Sequence, residues 1–483
     1  MLEDKSVLIR EYVTALRNKT AAVFMGAGMS YDIFKKNWKE LIAPYAQAID
    51  LDIGQSPNYL LIAQAYANQN SAESLKQSVA TQFCSEDTTD VHRIFARLPI
   101  QEYWTTNYDK LIENALDEVS RHYDMVYDND SFSVIDDDRE RMVYKCHGDC
   151  AHPMSIVITQ DDYEEFSLKN FNFSTALLKA LATNTFLFVG YSLNDPDINN
   201  LLAKIKVINK KRTWHYLITK EEKEPHKAKE QLLWIANLER YGIKTLLIDD
   251  YPRVQEIVEE IEKRYMANKI LISGSAEEYD EFSDEKSAQD LIYKLGYSLV
   301  EFDCSYSNKG HGMNIINGNG KGVGPHLYEG VAEATATYGL DMADYLLMYP
   351  FPKSYYEKFE KEKSMEERYY AYRQKMISKC GVVFFLFGNR YNDKGEIVNA
   401  LGVRKEFDIA VENGKFVFPI GCTGYMAKEL ATEVLANFEQ YNGQMPNLKR
   451  ILERLNSPGC TTEEIIGGVK SIIDALAFRV ETR

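Results

Sequence analysis

Between residues 20 and 265 short apolar runs alternate with amphipathic stretches. The runs predict strands at Ala21–Met25, Glu102–Thr106, Met142–Cys146, Thr185–Val189, His215–Ile218 and Lys244–Ile248. The stretches between them have helical periodicity: Trp38, Leu41, Ile42, Tyr45 and Ile49 fall on one face. Strands buried on both faces and alternating with helices imply a parallel, doubly wound sheet. Ile257–Met266 reads as a charged closing helix, after which the pattern restarts. Further strands are predicted at Lys269–Ser275, Ser298–Val300, Asn314–Asn317, Tyr345–Met348, Val382–Phe387 and Phe416–Ile420. The expected fold class is α/β, with two doubly wound parallel-sheet (Rossmann-like) domains at 1–267 and 268–483.

Composition narrows the functional classes. An apolar fraction of 45% over 483 residues is enough for two full cores. The net charge of −16 argues against a general nucleic-acid or anionic-membrane binder. No apolar run approaches the ~18 residues of a membrane span, and the N-terminus shows no signal-peptide pattern. Seven scattered cysteines read as reduced thiols of a cytoplasmic protein. Cys146, Cys150 and His152 are the nearest approach to a zinc set, and a fourth ligand is missing; no metal is expected.

Four short motifs sit at the ends of predicted strands, where ligands bind in open α/β sheets. Gly26-Ala27-Gly28-Met29-Ser30 follows the first strand. Glycines there let backbone N–H groups approach a diphosphate, with a helix start behind them. It is not the dehydrogenase fingerprint, because Tyr31 stands where a third glycine belongs. Thr105-Thr106-Asn107-Tyr108-Asp109 places polar groups beyond the second strand. Asp109 there also fits a helix cap. In His147-Gly148-Asp149 an imidazole, whose usual pKa is near ~6.5, suits proton transfer at neutral pH. Gly190-Tyr191-Ser192 ends a fourth strand, ahead of Asn194-Asp195-Pro196-Asp197, where Asn194 or Asp195 also fits a cap.

In this order the motifs resemble the sirtuin family, which binds NAD and breaks its nicotinamide–ribose bond. Gly26, Ala27, Gly28 and Ser30 match that family's dinucleotide loop without a gap. Thr106 replaces the Gln of its Thr-Gln-Asn-x-Asp motif, and Tyr191 departs from its Gly-Thr-Ser. The resemblance implies that Asn107 positions the nicotinamide ribose or the attacking water. Asp109 would hold the loop and the nicotinamide end. His147 would act as general base or ribose orienter, and Gly190 and Ser192 would contact the adenosine half. Without the zinc ribbon of many family deacylases, hydrolysis of NAD to ADP-ribose and nicotinamide is favoured over lysine deacylation.

The second half has its own candidates. Ser273, Gly274 and Ser275 end its first strand, and Gly318, Gly320 and Gly322 form a glycine-rich turn before a helix. The turn is not a P-loop, since Gly322 follows Lys321. Arg373, on the helix before the Val382–Phe387 strand, and Arg390, after it, supply basic groups suited to a phosphorylated ligand, and Glu406 lies in the opening of the next helix. This half resembles the SLOG family of nucleotide-derivative binding domains, with an eroded Pro-Gly-Gly-x-Gly-Thr-x-x-Glu motif in which Glu406 remains. The erosion favours sensing over phosphoribohydrolase catalysis.

The fusion resembles the NAD-consuming effector family of Thoeris anti-phage systems. That resemblance implies a cyclic ADP-ribose isomer as activator, made by a TIR-domain partner and bound by Ser273–Ser275, Arg373, Arg390 and Glu406. It also implies a homotetramer. The competing readings are an NAD-dependent deacylase and a non-catalytic nucleotide sensor.

Overall fold

The computed structural model describes residues 3–54, 58–136, 139–169, 171–191, 213–306, 313–351 and 364–477. The chain forms two compact units, Met1–Glu262 and Lys263–Arg483. The division falls inside the helix Pro252–Met266, a turn before the cut read from the sequence. Its last turn belongs to the second unit, where Lys263 Nζ lies 4.5 Å from the Phe416 ring centroid.

The first unit holds a seven-stranded sheet. Its strands are β1 (Ala21–Met25), β2 (Glu102–Thr105), β3 (Tyr123–Val126), β4 (Arg141–Lys145), β5 (Thr185–Val189), β6 (His215–Lys220) and β7 (Ile243–Ile248). Their order is β3-β4-β2-β1-β5-β6-β7, and every neighbouring pair is parallel. All five β1 residues are buried, as a central strand covered on both faces requires. Phe24 stacks on Phe188 at 5.5 Å, and both belong to the core under the helix Phe171–Thr183. The chain moves to one side of β1 through β2 and to the other through β5. The strand order therefore switches at β1, where such sheets open a crevice beyond the strand ends.

The second unit holds the parallel strands β8 (Lys269–Ser275), β9 (Asn314–Asn317), β10 (Leu346–Met348), β11 (Val382–Phe387) and β14 (Phe416–Pro419), in the order β10-β9-β8-β11-β14. An antiparallel ribbon of β12 (Asn389–Tyr391) and β13 (Ile397–Asn399) lies beside it.

Both doubly wound parallel sheets are present. One predicted strand is not: Ser298–Val300 lies inside the helix Glu285–Tyr306. Ala288, Leu291, Ile292, Leu295, Leu299 and Val300 are all buried, so the three-residue run is part of a longer helical stripe. The edge strand β3 and the ribbon escaped the sequence reading because they are short and half-exposed.

Candidate functional site

The four N-terminal motifs sit on the loops after β4, β2, β1 and β5, which are consecutive neighbours in the sheet. Parallel pairing puts all four loops on one edge, with Thr105 beside Met25 and Lys145, and Met25 beside Val189.

At the β1–β5 junction the glycines allow close backbone approach. The Gly26 N–H donates to Val189 O at 2.9 Å, and the Gly28 N–H to Gly190 O at 3.0 Å. A Cβ on Gly26 would lie 2.3 Å from Gly190 O, and one on Gly190 would lie 2.7 Å from the Met29 backbone nitrogen. The glycines thus let two strand ends touch, and those two amides are used in doing so. Ala27 is exposed at the turn's tip. The next helix, Tyr31–Phe34, is a single turn, so the expected helix start behind a diphosphate is weak here. Ser192 lies outside the described residues, as do Asn194–Asp197.

Ser30, Asn107 and Asp109 come together. Ser30 Oγ donates to Asp109 Oδ2 at 2.6 Å, and Asn107 Nδ2 donates to Ser30 Oγ at 3.0 Å. The Asn107 N–H donates to Thr105 Oγ1 at 2.9 Å, while Thr105 Oγ1 donates to Met25 O at 2.8 Å. Asp109 also accepts the Leu111 N–H at 3.1 Å, an Asx turn leading into the helix Leu111–Glu118 whose N-cap is Lys110, and joins the polar cluster at once.

His147 is on the adjoining loop, buried between aromatic edges. Its ring centroid lies 5.3 Å from that of Tyr163 and 5.8 Å from that of Phe166. Its Nδ1 is 3.5 Å from the Tyr163 hydroxyl. The two loops run side by side: the Cys146 N–H donates to Thr105 O at 2.9 Å and the Cys150 N–H to Tyr108 O at 2.8 Å. Behind the His147 loop lies a cavity of about 280 Å³ whose lining includes Tyr127, Ser155, Val157 and Phe166.

A buried charge cluster beneath these loops was missed from the sequence. Lys145 is fully buried, and its Nζ donates to Glu113 Oε1 at 2.9 Å, Asp149 Oδ1 at 2.5 Å, Tyr108 O at 3.3 Å and Asp109 O. The second Asp149 oxygen accepts the Ala151 N–H at 3.0 Å and lies 3.0 Å from His152 Nδ1. His152, named above as a zinc candidate, instead stacks on Tyr127 at 3.9 Å. Among the described residues no group of three His, Cys, Asp or Glu side chains could hold a metal ion. The one sequence signal of the cluster is a lysine directly after the apolar run Met142–Tyr144, four residues before an aspartate.

Lys145 and Asp149 form the charged pair. The neighbouring carboxylates keep the ammonium's pKa high, and the Lys145 charge holds Asp149 below its ordinary value against the opposing effect of burial. Glu113 behaves oppositely: burial raises its pKa more than Lys145 lowers it. Its Oε2 has no hydrogen-bond partner among the described residues. Glu113 is therefore the carboxyl of the cluster that burial pushes toward its protonated form. A carboxyl whose folded pKa exceeds its ordinary 4.5 stabilises the fold fully below that value, and this contribution is lost as pH rises through the folded value. Glu113→Gln removes the loss. Its melting temperature relative to the parent should rise as pH increases from 4.5; a flat or falling difference would show that burial does not raise the Glu113 pKa in the folded state.

In the second unit the signal-binding candidates split. Ser273 Oγ donates to Glu406 Oε2 at 2.7 Å, and Arg373 Nε lies 3.5 Å from Glu406 Oε1. Burial raises the Glu406 pKa, opposed by Ser273 and Arg373. The Arg373 guanidinium lies 4.8 Å from the Phe351 ring centroid and 6.0 Å from that of Tyr369, two neighbours not foreseen. Gly318 is beside Phe351 too, since a Cβ there would lie 3.4 Å from that ring. Gly274 and Gly320 touch: a Cβ on Gly320 would lie 2.0 Å from Gly274 O. Gly322 accepts a hydrogen bond from the Tyr279 hydroxyl at 2.9 Å, and Ser275 Oγ donates to Asn389 O at 3.2 Å. Arg390 is exposed on β12, with its guanidinium 3.4 Å from Tyr391 O, and no contact joins it to Arg373 or Glu406 among the described residues.

Comparison with known proteins agrees with both halves. Residues 101–246 match the SIR2-like domain family, and residues 253–476 match the Sir2- and TIR-associating SLOG family. The NAD(+) hydrolase ThsA of Bacillus cereus (strain MSX-D12) is 35% identical over 98% of this chain and 98% of its own. The protein of the same name from Cytobacillus dafuensis is 37% identical over 99% of this chain and 97% of its own. That from Acinetobacter baumannii (strain 532279) is 31% identical over 97% and 98%. With both domains in the same order and the likeness running end to end, the chain belongs to the ThsA NAD(+) hydrolase family of Thoeris effectors.

Proposed function

We propose that this chain hydrolyses NAD+ to ADP-ribose and nicotinamide in anti-phage defence. The observation that carries the reading is the hydrogen-bonded set Ser30, Asn107 and Asp109 on loops that adjoin the His147 loop. Nicotinamide leaves NAD as a neutral base, so C–N cleavage asks little of the protein. The site has to hold the ribose, exclude bulk water and place one nucleophile. Asn107 would position the water or the ribose, and His147 would take a proton. Gly26–Ser30, Asp109, Gly190 and Ser192 would hold the dinucleotide.

The second unit would be the gate. A cyclic ADP-ribose isomer, supplied by a TIR-domain protein, would bind at Ser273, Arg373 and Glu406 beside the glycine turn. A homotetramer in the cytoplasm would be the acting form. Among the described residues no helix is long and apolar enough to cross a membrane. An ungated NAD hydrolase would harm its own cell. Switching from about 1% to 99% active takes roughly 5.5 kcal/mol of differential ligand binding, and a charged pocket for a diphosphate is a suitable source.

The test is nicotinamide release by the purified full chain, with and without a cyclic ADP-ribose isomer. Release that appears only with the ligand is the expected result. No release under either condition would overturn the reading.

A further inference from the structure

We propose that Lys145 is a positioning residue of the N-terminal site, a single buried ammonium that sets the spacing between the Asn107 loop and the His147 loop. The inference rests on the proposed NAD hydrolysis, because the spacing matters to a reaction that uses both loops.

Lys145 is the last residue of β4 and lies beside Thr105, the last residue of β2. Its side chain is not part of the apolar filling of the sheet. It turns under the two loops and reaches partners on three segments: the Tyr108 and Asp109 carbonyls, Glu113 in the following helix, and Asp149. An ammonium has three N–H donors, and these partners use all of them.

The two ends of this bridge matter most. On one side Lys145 grips the backbone of Asp109, whose carboxylate accepts from Ser30, which in turn accepts from Asn107. On the other it grips Asp149, two residues beyond His147, whose second oxygen accepts from Ala151. Moving Nζ would shift both loops together. Stability alone is a poor reason for this arrangement, since buried ion pairs are often replaced by apolar groups without loss. What apolar groups cannot supply is directed contact to two loops from one point.

The experiment compares the parent with Lys145→Met/Asp149→Asn in the full chain under activating ligand. Removing both members of the Lys145–Asp149 pair together avoids leaving the buried Asp149 carboxylate facing an apolar side chain. Expected is a fall in kcat of about 100-fold, the scale of a small misplacement of reacting groups, with KM within about threefold of the parent. A folded pair variant whose kcat stays within about threefold of the parent, or whose loss lies wholly in KM, overturns the proposal. Should the pair variant not fold, Asp149→Asn alone frees only the His147 side of the bridge. It is expected to lose about tenfold in kcat, and an unaltered kcat overturns the proposal.

A parent that releases no nicotinamide would remove the hydrolase reading and leave the bridge to be judged by amide hydrogen exchange. Faster exchange in both segments, 105–109 and 147–152, would support it. Unchanged exchange, or a change in one segment alone, would overturn it.

Discussion

Replacing His147 by alanine is expected to cut ligand-stimulated nicotinamide release by about 10²–10⁴-fold, the usual contribution of one positioned acid–base group. The ring is held for such a role. Its Nδ1 faces the Tyr163 hydroxyl at 3.5 Å, and its faces and edges are confined by Tyr163 and Phe166. These neighbours restrict the ring's orientation, as a positioned acid–base group requires. Because the imidazole is buried, alanine also removes packing against two aromatic rings, so the comparison needs a melting curve showing that the variant is folded. An effect on kcat with little change in KM marks a group that acts in the transition state. Residual activity within about threefold of the parent would remove His147 from the chemistry.

Arg373→Ala should shift the half-activating concentration of the cyclic ADP-ribose isomer by about 30-fold or more, the effect of losing an arginine anchor worth about 2 kcal/mol or more. The guanidinium lies between an aromatic ring and a carboxylate. It rests 4.8 Å from the Phe351 ring centroid, and its Nε has no hydrogen-bond partner among the described residues even though Glu406 is 3.5 Å away. Glu406 is itself held by Ser273 at 2.7 Å through its other oxygen. Lysine at this position would not restore activation, since it lacks the planar fork and stacks poorly on Phe351. Arg390→Ala should shift the same curve less, because Arg390 is exposed and reaches only its neighbour's carbonyl. An unshifted activation curve for Arg373→Ala would place the signal elsewhere.

Much of this protein was legible before the structure. The two α/β units, nearly all the sheet strands and the motifs at their ends follow from local pattern: buried parallel strands are apolar throughout, and polar or small residues cluster where each one ends. Asp109 is the instructive case. Its neighbours along the chain allow a cap or a ligand contact, and in the fold it accepts the Leu111 N–H just ahead of the helix while it binds Ser30. Ser298–Val300 failed because three apolar residues fit a strand and a helical stripe equally, and only packing along the whole helix decides between them.

What the sequence by itself determined is therefore which residues end each strand and what chemistry they bring. The tertiary structure alone decided which of those ends are neighbours. The order β4-β2-β1-β5 follows from chain crossovers, and it is this order that sets the His147 loop beside the Asn107 loop and Gly26 against Gly190. It also decided that Lys145 would meet Glu113, 32 residues earlier, and Asp149 under the same loops. Contacts across such distances leave no periodic trace in a single sequence. They arise when strand pairing brings remote side chains into one dry space, where a buried charge has to find its partners. In the second unit the same logic separated Arg373, drawn to Glu406 and Phe351, from Arg390, left at the surface on a ribbon that local pattern did not reveal.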